Sequence, residues 1–131
     1  MDLLAFFDKD KFAVHNGIKV VDLGQGTATV RMDIVETHLN SHGTVHGGAL
    51  FLLADTAFAL ASNSHGIPAA AINAHISYMK SARSGTLFAR AEEFALNPKL
   101  ATYNVYITDQ EENPVAMFQG MVYRKTPRPD R

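Results

Sequence analysis

The sequence contains no cysteine, which excludes disulfide bridges, thiol redox chemistry and zinc sites built on cysteine. Net charge is almost absent as well, with 12 basic residues against 13 acidic ones and a formal balance of −1. The basic residues form no run or helical stripe, so nothing provides the field or the footprint that nucleic-acid binding needs. Long hydrophobic runs are also missing. The longest strongly apolar stretch, Gly47 to Ala61, contains Asp55 and is shorter than the ~20 residues of a membrane-spanning helix. Near the start, Asp2, Asp8 and Asp10 break up the apolar residues before a signal-peptide core can form, and a cytoplasmic location is the expectation. No internal repeat, low-complexity tract or linker is present.

What is present suffices for one core. The 131 residues are 47% hydrophobic and 19% charged, the profile of a folded chain near the commonest domain size, so one domain over 1–131 is expected. Leu3, Leu4, Phe6 and Phe7 cluster after Asp2, which predicts a helical segment over 1–14 serving as a lid or packing element. Two strand signals between Gly17 and Ile34 flank Gly24-Gln25-Gly26, and the second alternates Ala28, Val30, Met32 and Ile34 against Thr29, Arg31 and Asp33. Residues 35–46 read as a loop. From Gly47 to about Ser64 runs the longest helical candidate, apolar on nearly every side and therefore expected to be buried. Strand signals follow at about 69–79, 86–96, 100–109 and 114–124, and the tail 126–131 is expected to fray. A helix that is greasy all round needs a surround, and an antiparallel sheet wrapped about it supplies one.

Asp55 interrupts that greasy helix, and none of Leu53, Ala54, Thr56, Ala57 or Phe58 can pair with it. A carboxylate taken out of water must be solvated, paired across space, or protonated with a raised pKa. It is either a working group or one satisfied by backbone or water. The second feature is His46-Gly47-Gly48 at the helix start, where small residues admit close approach and unpaired amides stabilise negative charge. Either this is an oxyanion hole, or the glycines only allow a sharp turn into a crowded core. Asp55 lies eight positions beyond Gly47, roughly 12 Å along a helix rising about 1.5 Å per residue. The two groups therefore cannot act on one carbonyl within a single chain, whereas two antiparallel central helices across a two-fold axis would bring them together.

The run Asn40-Ser-His-Gly-Thr-Val-His46-Gly47-Gly48, continuing to Asp55-Thr56-Ala-Phe58, resembles the signature of hot-dog thioesterases of the phenylacetate-degradation, PaaI-like type. The likeness extends through Ile76-Ser-Tyr78-Met79-Lys80 and the Ser84-Gly85 turn, over roughly residues 15 to 125. It implies an α+β hot-dog fold and hydrolysis of an acyl-coenzyme A thioester, with aryl esters among the candidates, without a cofactor. It further implies a homodimer with shared active sites, commonly doubled into a tetramer. On this resemblance the Gly47 amide, with Gly48 beside it, polarises the thioester carbonyl and Asn40 positions substrate or water. Asp55 of the partner acts as general base or as nucleophile, and His46 supports either the loop or the leaving group. Some relatives use a further hydroxyl to hold the water. Ala69-Ala70-Ala71 offers none, which leaves Asn73, Thr56 or Asn40, with Thr56 equally open to a bond with its own backbone. Lys80 and Arg83, then Arg124 and Lys125, are the candidates for the coenzyme phosphates.

Other chemistry finds less support. His38, His42 and His46 share a four-residue spacing, but the intervening Gly43 and the Gly47-Gly48 pair favour a loop over a metal-binding helix face. No G-x-S-x-G elbow exists. A hydratase on the same fold and a non-catalytic acyl-CoA-binding module are the competing readings. A desolvated Asp55 argues against the binder, since it would repel an anionic ligand. Phe51, Phe58 and Tyr78 could line an aryl pocket, with the core as the expected place for them.

Overall fold

Two short helices open the chain in the computed structural model, which describes residues 1–125; the tail 126–131 lies outside the described residues. Asp2 starts α1 (Leu3–Asp8) by accepting from the amides of Leu4 and Ala5, and Asp10 starts α2 (Lys11–His15) by accepting from Ala13. The single helical segment expected over 1–14 is thus divided, because Asp10 caps a new helix where the first one ends. After Gly17, β1 (Ile18–Gly24) and β2 (Thr27–Asp33) form the expected hairpin, with Gly26 at a φ of 76° in its turn. Ala28, Val30 and Met32 face the core.

Residues 36–38 form a single 3-10 turn, and a bridge between Leu39 and Val45 closes the loop that follows. The central helix α3 spans Gly47–Ser62. It stops there because the Asn63 side chain takes over: Nδ2 donates to the Ala59 carbonyl at 2.8 Å while Oδ1 accepts from the Ala69 amide at 2.9 Å. This ties the helix end to β3 (Ala69–Tyr78). Then come β4 (Thr86–Leu96), β5 (Leu100–Thr108) and β6 (Pro114–Arg124). All neighbours pair antiparallel in one six-stranded sheet of order β1-β2-β4-β5-β6-β3. This is the hot-dog fold.

The core lies between α3 and the sheet. Leu53, Phe58 and Leu60 are fully buried against Val30, Met32, Tyr103, Val105, Ile107 and Phe118, and each large apolar side chain so buried contributes roughly 1.5–3 kcal/mol. Phe58 is the anchor, with its ring 5.4 Å from that of Phe118 and 5.8 Å from that of Tyr103. Gly120 on β6 makes this seat possible, since a Cβ there would stand 2.7 Å from the Phe58 ring.

Two faces remain open. Leu52, Asp55 and Ala59 on the outer side of α3 are only half-buried, so the helix is not enclosed all round as its composition suggested. Edge strand β3 is exposed at every residue except the half-buried Ala69 and Ile76. No helix among the described residues is long and apolar enough to cross a membrane.

Candidate active site

The loop before α3 is held by one side chain. Asn40 Oδ1 accepts from the amides of His42 and Thr44 at 2.9 and 3.2 Å, and its Nδ2 donates to Thr44 Oγ1 at 3.0 Å. Asn40 thereby fixes the loop and keeps one amide proton unassigned. His46 is the N-cap of α3: its Nδ1 accepts from the Gly48 amide at 2.8 Å, and its carbonyl accepts from Ala49 and Leu50. A neutral ring in this setting carries its proton on Nε2. Of the first four amides of the helix, three are consequently satisfied. Of these four, only the Gly47 N–H has no partner among the described residues, and it stands at the positive end of a 16-residue helix. This separates the two glycines, because the Gly48 amide, predicted to help bind substrate, is already taken.

A cavity of about 340 Å³ opens at this helix end, lined among others by Asn40, Thr44, Gly47, Leu50, Tyr78 and Lys80. The Tyr78 hydroxyl donates to the Gly47 carbonyl at 3.1 Å, and any Cβ at position 47 would press on that same ring. Tyr78 therefore lines the candidate site, the alternative to the core placement that the sequence favoured. The structure leaves it 52% exposed, on the edge strand, where no local pattern distinguishes an inward aromatic from an outward one. Phe58 is core as expected, and Phe51 is partly exposed while its ring packs edge-on against Phe118 at 5.3 Å.

Asp55 sits two turns further along, half-buried on the outer face. No residue among those described gives its carboxylate a hydrogen bond or an ion pair, so it is not satisfied by backbone of its own chain. Its pKa is raised above the ordinary 3.8, first by burial and then by the negative charge of Asp10. Asp10 is a contributor that sequence reasoning missed, since it lies 45 positions away in the chain.

Several predicted partners are engaged elsewhere. The Thr56 hydroxyl donates to Leu52 O at 2.8 Å, the intrahelical bond that competed with a role on water. Lys80 is paired with Asp109 at 2.8 Å and holds that carboxyl well below its usual range, so its ammonium is not a free phosphate anchor. Arg83 is exposed beside the loop, with Nη1 3.5 Å from the His42 carbonyl. Arg124 is buried and donates to the Asn97 carbonyl at 2.9 Å, which withdraws it from the phosphate candidates, whereas Lys125 is exposed. Asn73 is exposed on β3, its amide 3.9 Å from Met121 Sδ. His38 is buried, with both ring nitrogens bonded to backbone of Val35 and Asn16. Among the described residues, no three His, Cys, Asp or Glu side chains cluster as a metal site.

Residues 42–116 match the thioesterase superfamily. The chain is 36% identical over 121 residues to the acyl-coenzyme A thioesterase PaaI of Escherichia coli, covering 92% of this chain and 86% of that one. The solved structure of E. coli PaaI, from the phenylacetic acid degradation operon, superposes with a TM-score of 0.91 at 35% identity, over 94% of this chain and 90% of that one. An Asn-to-Asp variant of the phenylacetic acid degradation protein PaaI of Thermus thermophilus superposes with a TM-score of 0.85 at 41% identity, over 88% of this chain and all of that one. A Streptococcus mutans protein solved with acetyl-CoA superposes at 0.81 with 26% identity, over 86% of this chain and 91% of that one.

Proposed function

The chain belongs to the thioesterase superfamily, and from that premise we propose that it hydrolyses acyl-coenzyme A thioesters, aryl-acetyl esters among them, to the free acid and coenzyme A. The observation that carries this reading is a pair of unsatisfied groups on one helix. Gly47 presents a free N–H at the positive helix end, and Asp55 presents an unpartnered carboxylate with a raised pKa. An oxyanion formed at a thioester carbonyl needs the first, and a water or acyl acceptor needs the second.

The two groups lie roughly 12 Å apart along α3, so each site draws on two chains. β3 supports this assembly. It is a ten-residue edge strand with no lysine or proline in it, exposed on both faces. It carries neither of the residue types that most often keep edge strands apart, its one irregularity in register lies between Ala71 and Asn73, and a second β3 added antiparallel would satisfy it. The resulting homodimer sets α3 of each copy against the other, so that Asp55 of one chain faces Gly47 of its partner. We include its further pairing into a tetramer in the proposal.

In this site the Gly47 amide holds the carbonyl oxygen and Asn40, fixed by Thr44, directs its remaining N–H toward substrate or water. His46 orders the helix start by capping Gly48. In the general-base route Asp55 takes a proton from water as its oxygen bonds to the carbonyl carbon; the C–S bond then breaks and the coenzyme leaves as thiolate. In the nucleophilic route an Asp55 oxygen attacks the carbonyl, the thiolate departs, and water cleaves the anhydride. Neither route calls on a cofactor. Asn40 and Asn73 are the remaining candidates to hold the water, and Arg83 and Lys125 the remaining candidates for the coenzyme phosphates.

The test is turnover of acetyl-, phenylacetyl-, hydroxybenzoyl- and long-chain CoA esters, read by release of the free thiol. Hydrolysis of at least one class supports the reading. Tight binding of CoA esters without thiol release identifies a carrier module instead, and release of a hydrated or dehydrated acyl-CoA identifies a hydratase.

A further inference from the structure

A second cavity, of about 320 Å³, lies between the N-terminal helices and α3, walled by the apolar Phe6, Phe7, Ala59 and Leu60 together with Thr56 and the charged Lys9 and Asp10. Its volume is within the range of small-molecule sites, about 300–1,000 Å³, and its walls are mostly apolar, as such sites require. Even its threonine offers no free hydroxyl proton, because Thr56 spends it on Leu52 O. Two of its wall residues adjoin Asp55 on α3: Thr56 is the next residue, and Ala59 is one helical turn on, along the same face as Asp55. The charge of Asp10, on the cavity wall, reaches the Asp55 carboxylate.

A thioester whose carbonyl carbon lies beside Asp55 must direct its acyl group somewhere dry. The polar, open end of α3 near Gly47 suits the coenzyme side. We propose that the cavity beneath α1 and α2, in the chain that supplies Asp55, receives the acyl group, and that Phe6, Phe7 and Ala59 set its permitted length and bulk. The N-terminal helices are then a specificity element and not merely packing. This inference rests on the thioesterase reading and adds to it a substrate class: compact aryl or medium-length apolar acyl groups, the size that about 320 Å³ admits.

Ala59→Leu fills the cavity from the helix side, and Phe6→Ala, at a residue already 38% exposed, enlarges it. Retained melting temperature and gel-filtration volume qualify each variant. Ala59→Leu is expected to lower kcat/KM for phenylacetyl-CoA relative to acetyl-CoA by roughly tenfold or more, mainly through KM, and Phe6→Ala to shift preference toward longer acyl chains. Ratios within twofold of the parent in both variants would overturn the inference. Should the parent hydrolyse no CoA ester, the thioesterase reading falls, and a separate readout decides the cavity. The chain has no tryptophan, so Phe6→Trp installs a single fluorophore on the wall. Titration with a phenethyl-CoA thioether should change its emission while free coenzyme A should not. Equal responses to both, or none to either, would place the acyl group elsewhere.

Discussion

Asp55 concentrates the chemistry at the residue scale, and its raised pKa has two opposite consequences. A carboxylate must be ionised to act on water or carbonyl, so activity falls as pH drops through the raised value, and this acid limb lies above the ordinary carboxylate range. Because Asp10 contributes to the shift, Asp10→Asn, which keeps the cap on α2, should move the limb of kcat/KM toward lower pH. An unmoved limb would remove Asp10 from the account. For folding the sign differs from that of a salt-bridged acid. The native state holds the Asp55 proton to higher pH than the unfolded chain does, so the contribution of this group to stability is fully present below the ordinary value of 3.8 and is lost as pH rises through the raised one. Asp55→Asn removes that loss. It is expected to cut turnover by about 10²–10⁴-fold while raising the melting temperature at neutral pH; near-normal turnover would discard Asp55 as the reacting group. Single turnover in heavy-oxygen water then separates the two routes, since label entering Asp55 requires the anhydride.

At the scale of elements, the seat of α3 on the sheet depends on a contact that spans 62 positions, Phe58 against Gly120. The Phe58 ring is held by Tyr103 and Phe118 and has no room to retreat. Gly120→Ala should therefore cost about 1–3 kcal/mol by overpacking, measured by denaturant unfolding, and a neutral result would mean that the helix can lift. The element order itself was legible in the sequence: Asp2 as a cap, the Ala28-Val30-Met32 alternation and the long apolar helix all carry their signal within a few residues. So was the Asn40, Gly47 and Asp55 pattern. What local reading missed depends on partners brought together by the fold. The core was favoured over a pocket for Tyr78 because a strand's period does not reveal which strand becomes the edge. Lys80 and Arg124 were offered as phosphate anchors because Asp109 and the Asn97 carbonyl meet them only through sheet pairing. Gly48 was offered as a substrate-binding group beside Gly47 because nothing local shows that the His46 ring takes its amide.

For the whole molecule the decisive quantity is the separation of Gly47 from Asp55, which no rearrangement of a straight helix can close. A variant that deletes one N–H and little else makes this testable. His46 has φ −61° and ψ 138°, the conformation that precedes proline, and Gly47 is the first helical residue, where proline is tolerated. Gly47→Pro thus removes the amide proposed to hold the oxyanion, with only the Tyr78 ring, 3.1 Å from a new Cβ, having to yield. Its turnover is expected to fall about 10²–10³-fold. Mixing it with Asp55→Asn after reversible dissociation creates heterodimers in which one site carries both lesions and the other carries neither. Random exchange of equal amounts makes half the dimers mixed, each with one intact site, so activity should return to roughly a quarter of the parent's. Homodimers of either variant cannot contribute that recovery. If native mass spectrometry verifies mixed dimers and activity stays at the level of the separate variants, both groups must serve one chain, and the pairing through β3 loses its chemical purpose.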